Sequence, residues 1–77
     1  MQALKAKGNQ QTIKKLIALR KLAQEDSAYR TATRLHAVIL NLEGRPPGDV
    51  AEILKVNRTN VPAWIRAWNQ YGIDGLL

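Results

Sequence analysis

From Gln11 onward the apolar residues of this chain recur at spacings of three and four, and nowhere do they alternate as the face of a half-buried strand would. That pattern restricts the fold to packed helices, and its interruptions divide the chain into four. Ile13, Leu16, Ile17 and Arg20, flanked by Leu19, Leu22 and Ala23, form the first stripe, with Thr12 as the expected N-cap. Glu25-Asp26-Ser27 breaks it, and Asp26 or Ser27 is placed to cap the next helix. The second helix, roughly Ala28 to Glu43, carries Ala28, Ala32, Leu35, Ile39 and Leu42 on one face, and Gly44 supplies the left-handed residue that ends it. Arg45-Pro46-Pro47-Gly48 forces a turn into a short third helix ending at about Lys55, which points Val50, Ala51, Ile53 and Leu54 at the core. Val56-Asn57 is a tight connection, and a fourth helix over about Arg58–Tyr71 ends at Gly72.

A chain of 77 residues has room for one small domain, and without cysteine it must hold itself together by packing alone. Thiolate metal sites and cysteine nucleophiles are excluded with the disulfides. No apolar run exceeds the length of Ala37–Leu40, far short of the roughly 20 residues of a membrane span. Met1–Lys7 is basic but no apolar segment follows it, so a secretory leader is not expected and the cytoplasm is the expected compartment. Met1–Gln10 is polar, aperiodic and interrupted by Gly8-Asn9, which reads as a flexible basic arm ahead of one helical domain over 11–77.

The formal net charge is +6, which points to an acidic partner, nucleic acid first. Its placement is uneven. Lys5, Lys7, Lys14, Lys15, Arg20 and Lys21 fall within residues 1–24 with no acid among them, whereas residues 25–77 are balanced. The segment Asp49–Trp68, near neutral, carries the sharper signal. Ala51 is small where a second helix would cross, Val50, Leu54 and Val56 flank the turn, and Val61, Trp64 and Ile65 anchor the next helix inward. These are the demands of a helix-turn-helix, at about residues 47–71, whose second helix lies in the DNA major groove. Winding that helix at about 100° per residue puts Val61, Trp64, Ile65, Trp68 and Tyr71 on the core side. The other side carries Thr59, Ala63, Arg66 and Gln70, with Arg58 and Asn60 at the N-terminal end. Arg suits guanine O6 and N7, Asn and Gln suit adenine N6 and N7, and the Thr and Ala methyls suit thymine. Arg45, Lys55, Lys14 and Lys15 complete the expected DNA-binding set as phosphate contacts.

Residues 28–77 resemble the N-terminal DNA-binding region of mariner-like insertion-sequence transposases, of the paired-like helix-turn-helix type. The elements that carry the resemblance are Val50-Ala51, Val61 with Trp64, and the ending Tyr71-Gly72-Ile73-Asp74-Gly75-Leu76. The resemblance implies recognition of the terminal inverted repeats of a mobile element, with catalytic acids further along a longer transposase chain. Four positions depart from the family pattern. Lys55 stands where the turn usually has Gly, Asn57 and Pro46 stand where capping Ser residues are usual, and Pro62 intrudes on the fourth helix. Capped at Asn57, that helix would drive the Pro62 ring against the Arg58 carbonyl, at about 3 kcal/mol. A late start, with Thr59 or Asn60 as the cap, avoids the clash and is expected.

Other chemistry is poorly supported. Ser27 has no base-and-orienter pair, His36 has no second ligand, and Asp49 with Glu52 lack a pocket for Mg²⁺, so neither catalysis, cofactor nor metal is expected. Trp64 and Trp68 read as core anchors, and Arg30 and Arg34 as a solvated face or phosphate contacts. The expectation is an all-α, compact bundle of about four helices with a C-terminal helix-turn-helix that prefers particular sequences in double-stranded DNA and does not engage a membrane. On this reading, deleting residues 1–10 weakens binding and leaves sequence preference intact. Open alternatives are a protein-interaction or self-association module using the basic first helix, including a homodimer, and a standalone regulator.

Overall fold

A computed structural model describes residues 4–77, and among them every regular element is helical. The order is α1 (Gln10–Glu25), α2 (Tyr29–Leu42), α3 (Pro47–Leu54) and α4 (Asn60–Tyr71), closed by a 3₁₀ helix over Gly72–Leu76. The Cα radius of gyration, 11.3 Å, matches the roughly 11.5 Å of a well-packed chain of this length. The all-α reading therefore holds, with four helices where the periodicity places them.

The helix ends differ from the expectation in instructive ways. α1 is capped by Asn9, not Thr12. Asn9 accepts from the Thr12 N–H at 3.1 Å while Thr12 Oγ1 accepts from the Asn9 N–H, also at 3.1 Å, a reciprocal pair that satisfies two donors at once. Asp26 and Ser27 terminate α1 instead of opening α2. Ser27 takes the left-handed conformation (φ 60°), and the Ala28 N–H reaches back to Ala23 O at 2.7 Å. Ala28 is then the cap residue of α2, with no side-chain capping bond. Gly44 (φ 107°) ends α2 in the same way, its successor Arg45 bonding to Leu40 O.

Leu16, Val38, Val50, Val61, Ile65 and Leu76 are the largest side chains fully withdrawn from water, so every helix contributes to one core. α2 runs through its centre, with Ala32, Leu35, Ala37, Val38 and Ile39 buried. α1 packs along α2, while α3 and α4 pack on α2 and on each other. The chain end returns beneath α4 at Gly75, where a Cβ would fall onto the Ala67 carbonyl, 2.7 Å from its carbon. That close approach lets Leu76 reach the core. The periodicity overcounted some positions: Ala28, Ile17, Ile53 and Tyr71 are exposed, because each lies at the edge of a stripe where no neighbouring element closes over it.

The segment read as a flexible basic arm differs most. Over residues 4–9 it lies against the helices, with Ala6 buried and its backbone N–H held by the Asn41 side chain. Met1–Ala3 of that arm lie outside the described residues.

Candidate nucleic-acid interface

The helix-turn-helix occupies Pro47–Tyr71. Pro46 precedes it in an extended conformation without a side-chain cap, so the Val50 N–H is satisfied by Pro46 O at 3.0 Å. α3 stops at Leu54, and Lys55 adopts the left-handed conformation, φ 57° and ψ 46°, that the sequence makes awkward for a residue with a Cβ. The Val56 N–H then bonds back to Ala51 O at 3.0 Å.

The turn into α4 is organised by Asn57. Its Oδ1 accepts from the Thr59 N–H at 3.0 Å and from the Thr59 hydroxyl at 2.9 Å, while its carbonyl accepts from the Asn60 N–H at 3.0 Å. α4 accordingly begins at Asn60 with Thr59 as the preceding residue. Pro62 falls in the first turn, whose N–H groups have no intrahelical partner, and the late start expected from the sequence is what occurs. Val61 and Ile65 are fully buried and set the rotation of α4. Trp64 and Trp68 pack against the core while remaining partly accessible.

That rotation turns Asn60, Ala63, Arg66 and Gln70 outward, all exposed, with Arg58 and Thr59 exposed at the N-terminal end and Lys55 exposed in the turn. No acidic residue lies on α4. Arg58 folds toward α3, its Nη2 being 3.8 Å from where a Cβ on Gly48 would stand. These seven residues follow one another from the turn along the outward side of α4. Arg45, Lys14 and Lys15 are also exposed and lie on other segments, Lys14 and Lys15 on α1 and Arg45 after α2. Arg45 shares a small cleft with Leu4 and Lys5, and Lys15 borders a hollow formed with Trp68 and Ile73 near the far end of α4.

A cleft of about 460 Å³ opens between α2 and the start of α4, lined by Tyr29, Arg30, Thr33, Arg34, Asn60 and Trp64. Arg34 also lines this cleft, and its Nη1 donates to Leu77 O at 3.3 Å and, more weakly, to Leu76 O at 3.5 Å. His36 lies on the α1–α2 boundary. Burial, and secondarily the Arg20 guanidinium, hold its imidazole below the ordinary range, with Glu43 opposing.

Sequence reasoning missed Asn41, Asn69 and the Trp68 indole as structural donors and acceptors. Asn41 is the only buried polar side chain among the described residues. An asparagine three residues after Val38, on a face otherwise apolar, was the available signal, but two of its three partners, Leu4 and Ala6, lie 35 or more residues away in sequence.

A three-helix unit with an exposed, acid-free second helix in its helix-turn-helix defines a DNA-binding domain of the helix-turn-helix class. A profile of the homeodomain-like domain matches residues 28–77, and the chain belongs to that family. Neither the curated proteins nor the solved structures compared with the chain gave a match. Double-stranded DNA is the partner that the family supports. No helix among the described residues is long and apolar enough to cross a membrane.

Proposed function

We propose that the domain recognises the terminal inverted repeats of a mobile element for a transposase, reading sequence with α4 in the major groove. The observation that carries the reading is the outward face of α4, where Asn60, Ala63, Arg66 and Gln70 stand exposed with no acid among them. Arginine, asparagine and glutamine are the residue types that pair bidentately with purine edges. Arg58 and Thr59 meet the DNA where α4 begins, and Lys55 meets a phosphate from the turn. Arg45, Lys14 and Lys15 widen the electrostatic footprint. The mariner-like assignment draws on Val50-Ala51, Val61 with Trp64, and the Tyr71–Leu76 ending, of which Gly72–Leu76 forms the 3₁₀ helix that closes the core. The domain contributes binding to such an enzyme and no chemistry of its own.

The test is a titration of the chain against a terminal-repeat duplex and a scrambled duplex at two salt concentrations. Affinity falls with salt, with a slope of about −0.9 in log–log form per phosphate neutralised. Arg66→Ala lowers the preference for the repeat by about 1–3 kcal/mol. An equal loss on both duplexes would reduce Arg66 to a phosphate contact and remove the case for base reading by α4.

A further inference from the structure

The first lysines of the chain are not on a loose tail. Leu4–Lys7 runs extended between two asparagine side chains that treat it as two neighbouring strands would. On one side, Asn41 Oδ1 accepts from the Ala6 N–H at 2.6 Å and Asn41 Nδ2 donates to Leu4 O at 3.2 Å. On the other, Asn69 Oδ1 accepts from the Lys7 N–H at 2.8 Å and Asn69 Nδ2 donates to Lys5 O at 3.0 Å. The Trp68 indole N–H adds a bond to Lys7 O at 2.9 Å. Each carboxamide thus offers the donor and acceptor of one peptide unit, and the two grip alternate residues, as an extended backbone requires.

The consequence lies in the side chains. Ala6 is 4% exposed and Leu4 packs against the core, so the alternation of an extended segment turns Lys5 and Lys7 outward, and both are exposed. Asn69 follows Arg66 by three residues on α4 and Trp68 holds the same segment, so the clamp fixes the Lys5–Lys7 backbone along the flank of that helix, between its core side and its outward face. Arg45 borders the same cleft as Lys5. We propose that Asn41 and Asn69 hold Leu4–Lys7 as a fixed rail that aims Lys5 and Lys7 at the phosphodiesters bordering the groove that α4 enters. The proposal rests on the DNA-binding reading of α4 and adds a second, pre-ordered contact to it. Asn69 acts as a positioning residue. Lys5 and Lys7 bind the backbone without restricting its sequence, and because the rail is already ordered, binding fixes only the lysine side chains and not the segment that carries them.

The experiment uses the full chain and a short duplex of random sequence, with affinity measured across a range of salt. Replacing Lys5 and Lys7 by Ala is expected to reduce the log–log salt slope by about 2, and affinity on the order of tenfold at about 0.15 M salt. Asn41 is buried and its substitution tests folding, so the clamp is tested at the surface by Asn69→Ala, with helicity and melting temperature followed in parallel. Asn69→Ala leaves the charge unchanged, weakens binding several-fold, and shrinks the effect of removing the two lysines. If the lysine pair contributes equally with and without Asn69, the clamp does not position them and the proposal is wrong. An unchanged slope in the Lys5→Ala/Lys7→Ala variant, with wild-type binding intact, removes the lysines from the interface. Absence of salt-dependent binding by the wild-type chain overturns the DNA reading itself and this proposal with it.

Discussion

Lys55 holds a backbone conformation that costs the fold, in a turn where its cation is proposed to meet a phosphate. Its φ of 57° is the left-handed geometry that costs a residue with a Cβ about 1 kcal/mol more than glycine. Lys55→Gly is expected to raise stability by about 1 kcal/mol, read from a denaturant midpoint, and to reduce the salt slope of DNA binding by about 1. A gain in stability with no change in slope would mean that the lysine makes no phosphate contact. The strain was implied by the resemblance, since Lys55 stands where the related turns usually have Gly, and the position of the turn was legible in the sequence from Leu54 and Val56 flanking it. So was the late start of α4, because Pro62 leaves few places for the helix to begin. Tyr71 and Ile53 were misplaced for a different reason. A helical wheel gives the direction of a side chain, but not how far the neighbouring element extends to cover it, and both residues lie beyond that cover.

Between elements, the α1–α2 contact is the one whose stability responds to mild acid. His36 on α2 faces Arg20 of α1, and burial followed by that guanidinium lowers its pKa from the ordinary 6.5, against a smaller opposing pull from Glu43. The unfolded chain therefore takes up the proton before the folded one. Stability is full above pH 6.5 and declines as pH falls through 6.5 toward the lowered folded value, below which the decline from this group ends. Thermal melts across that interval should show the decline in the wild-type chain, a smaller one in Arg20→Gln, and none from this source in His36→Gln. A His36→Gln profile that coincides with wild type would assign the acid sensitivity elsewhere. The existence of α1 and α2 was plain from periodicity. Their termination was less so: Ser27 ends one helix instead of starting the next because closing the α1 carbonyls with Ser27 and Ala28 requires the left-handed turn there.

At the scale of the whole molecule, the N-terminal segment is part of the core. Deleting residues 1–7 leaves the Asn41 carboxamide with only its bond to Arg45 O, in a buried site from which the Ala6 and Leu4 partners have gone. A buried polar group stripped of its partners costs about 1–3 kcal/mol, and the packing of Leu4 and Ala6 is lost as well. For a chain this small the melting temperature should fall by roughly 10 °C or more. An unaltered melt would show that residues 4–7 are not held as described. For the same reason such a truncation does not isolate the electrostatic contribution of the arm, and point substitution of Lys5 and Lys7 replaces it.

Periodicity, punctuation and charge, read without coordinates, settled the helix count, the helix-turn-helix, the outward face of α4 and the surplus of cations in the first 24 residues. Those features are local: a stripe, a turn or a cap depends on residues within a few positions of one another, and their chemistry is written consecutively. Tertiary structure alone decided that the basic N-terminal segment is ordered, because the groups that order it, Asn41, Trp68 and Asn69, lie 35 to 64 residues away. A carboxamide can satisfy a passing backbone from anywhere in the chain, and nothing in its neighbours says which backbone it will meet. The +6 charge was therefore countable from the start, whereas the fixed placement of Lys5 and Lys7 beside α4 required the chain to fold.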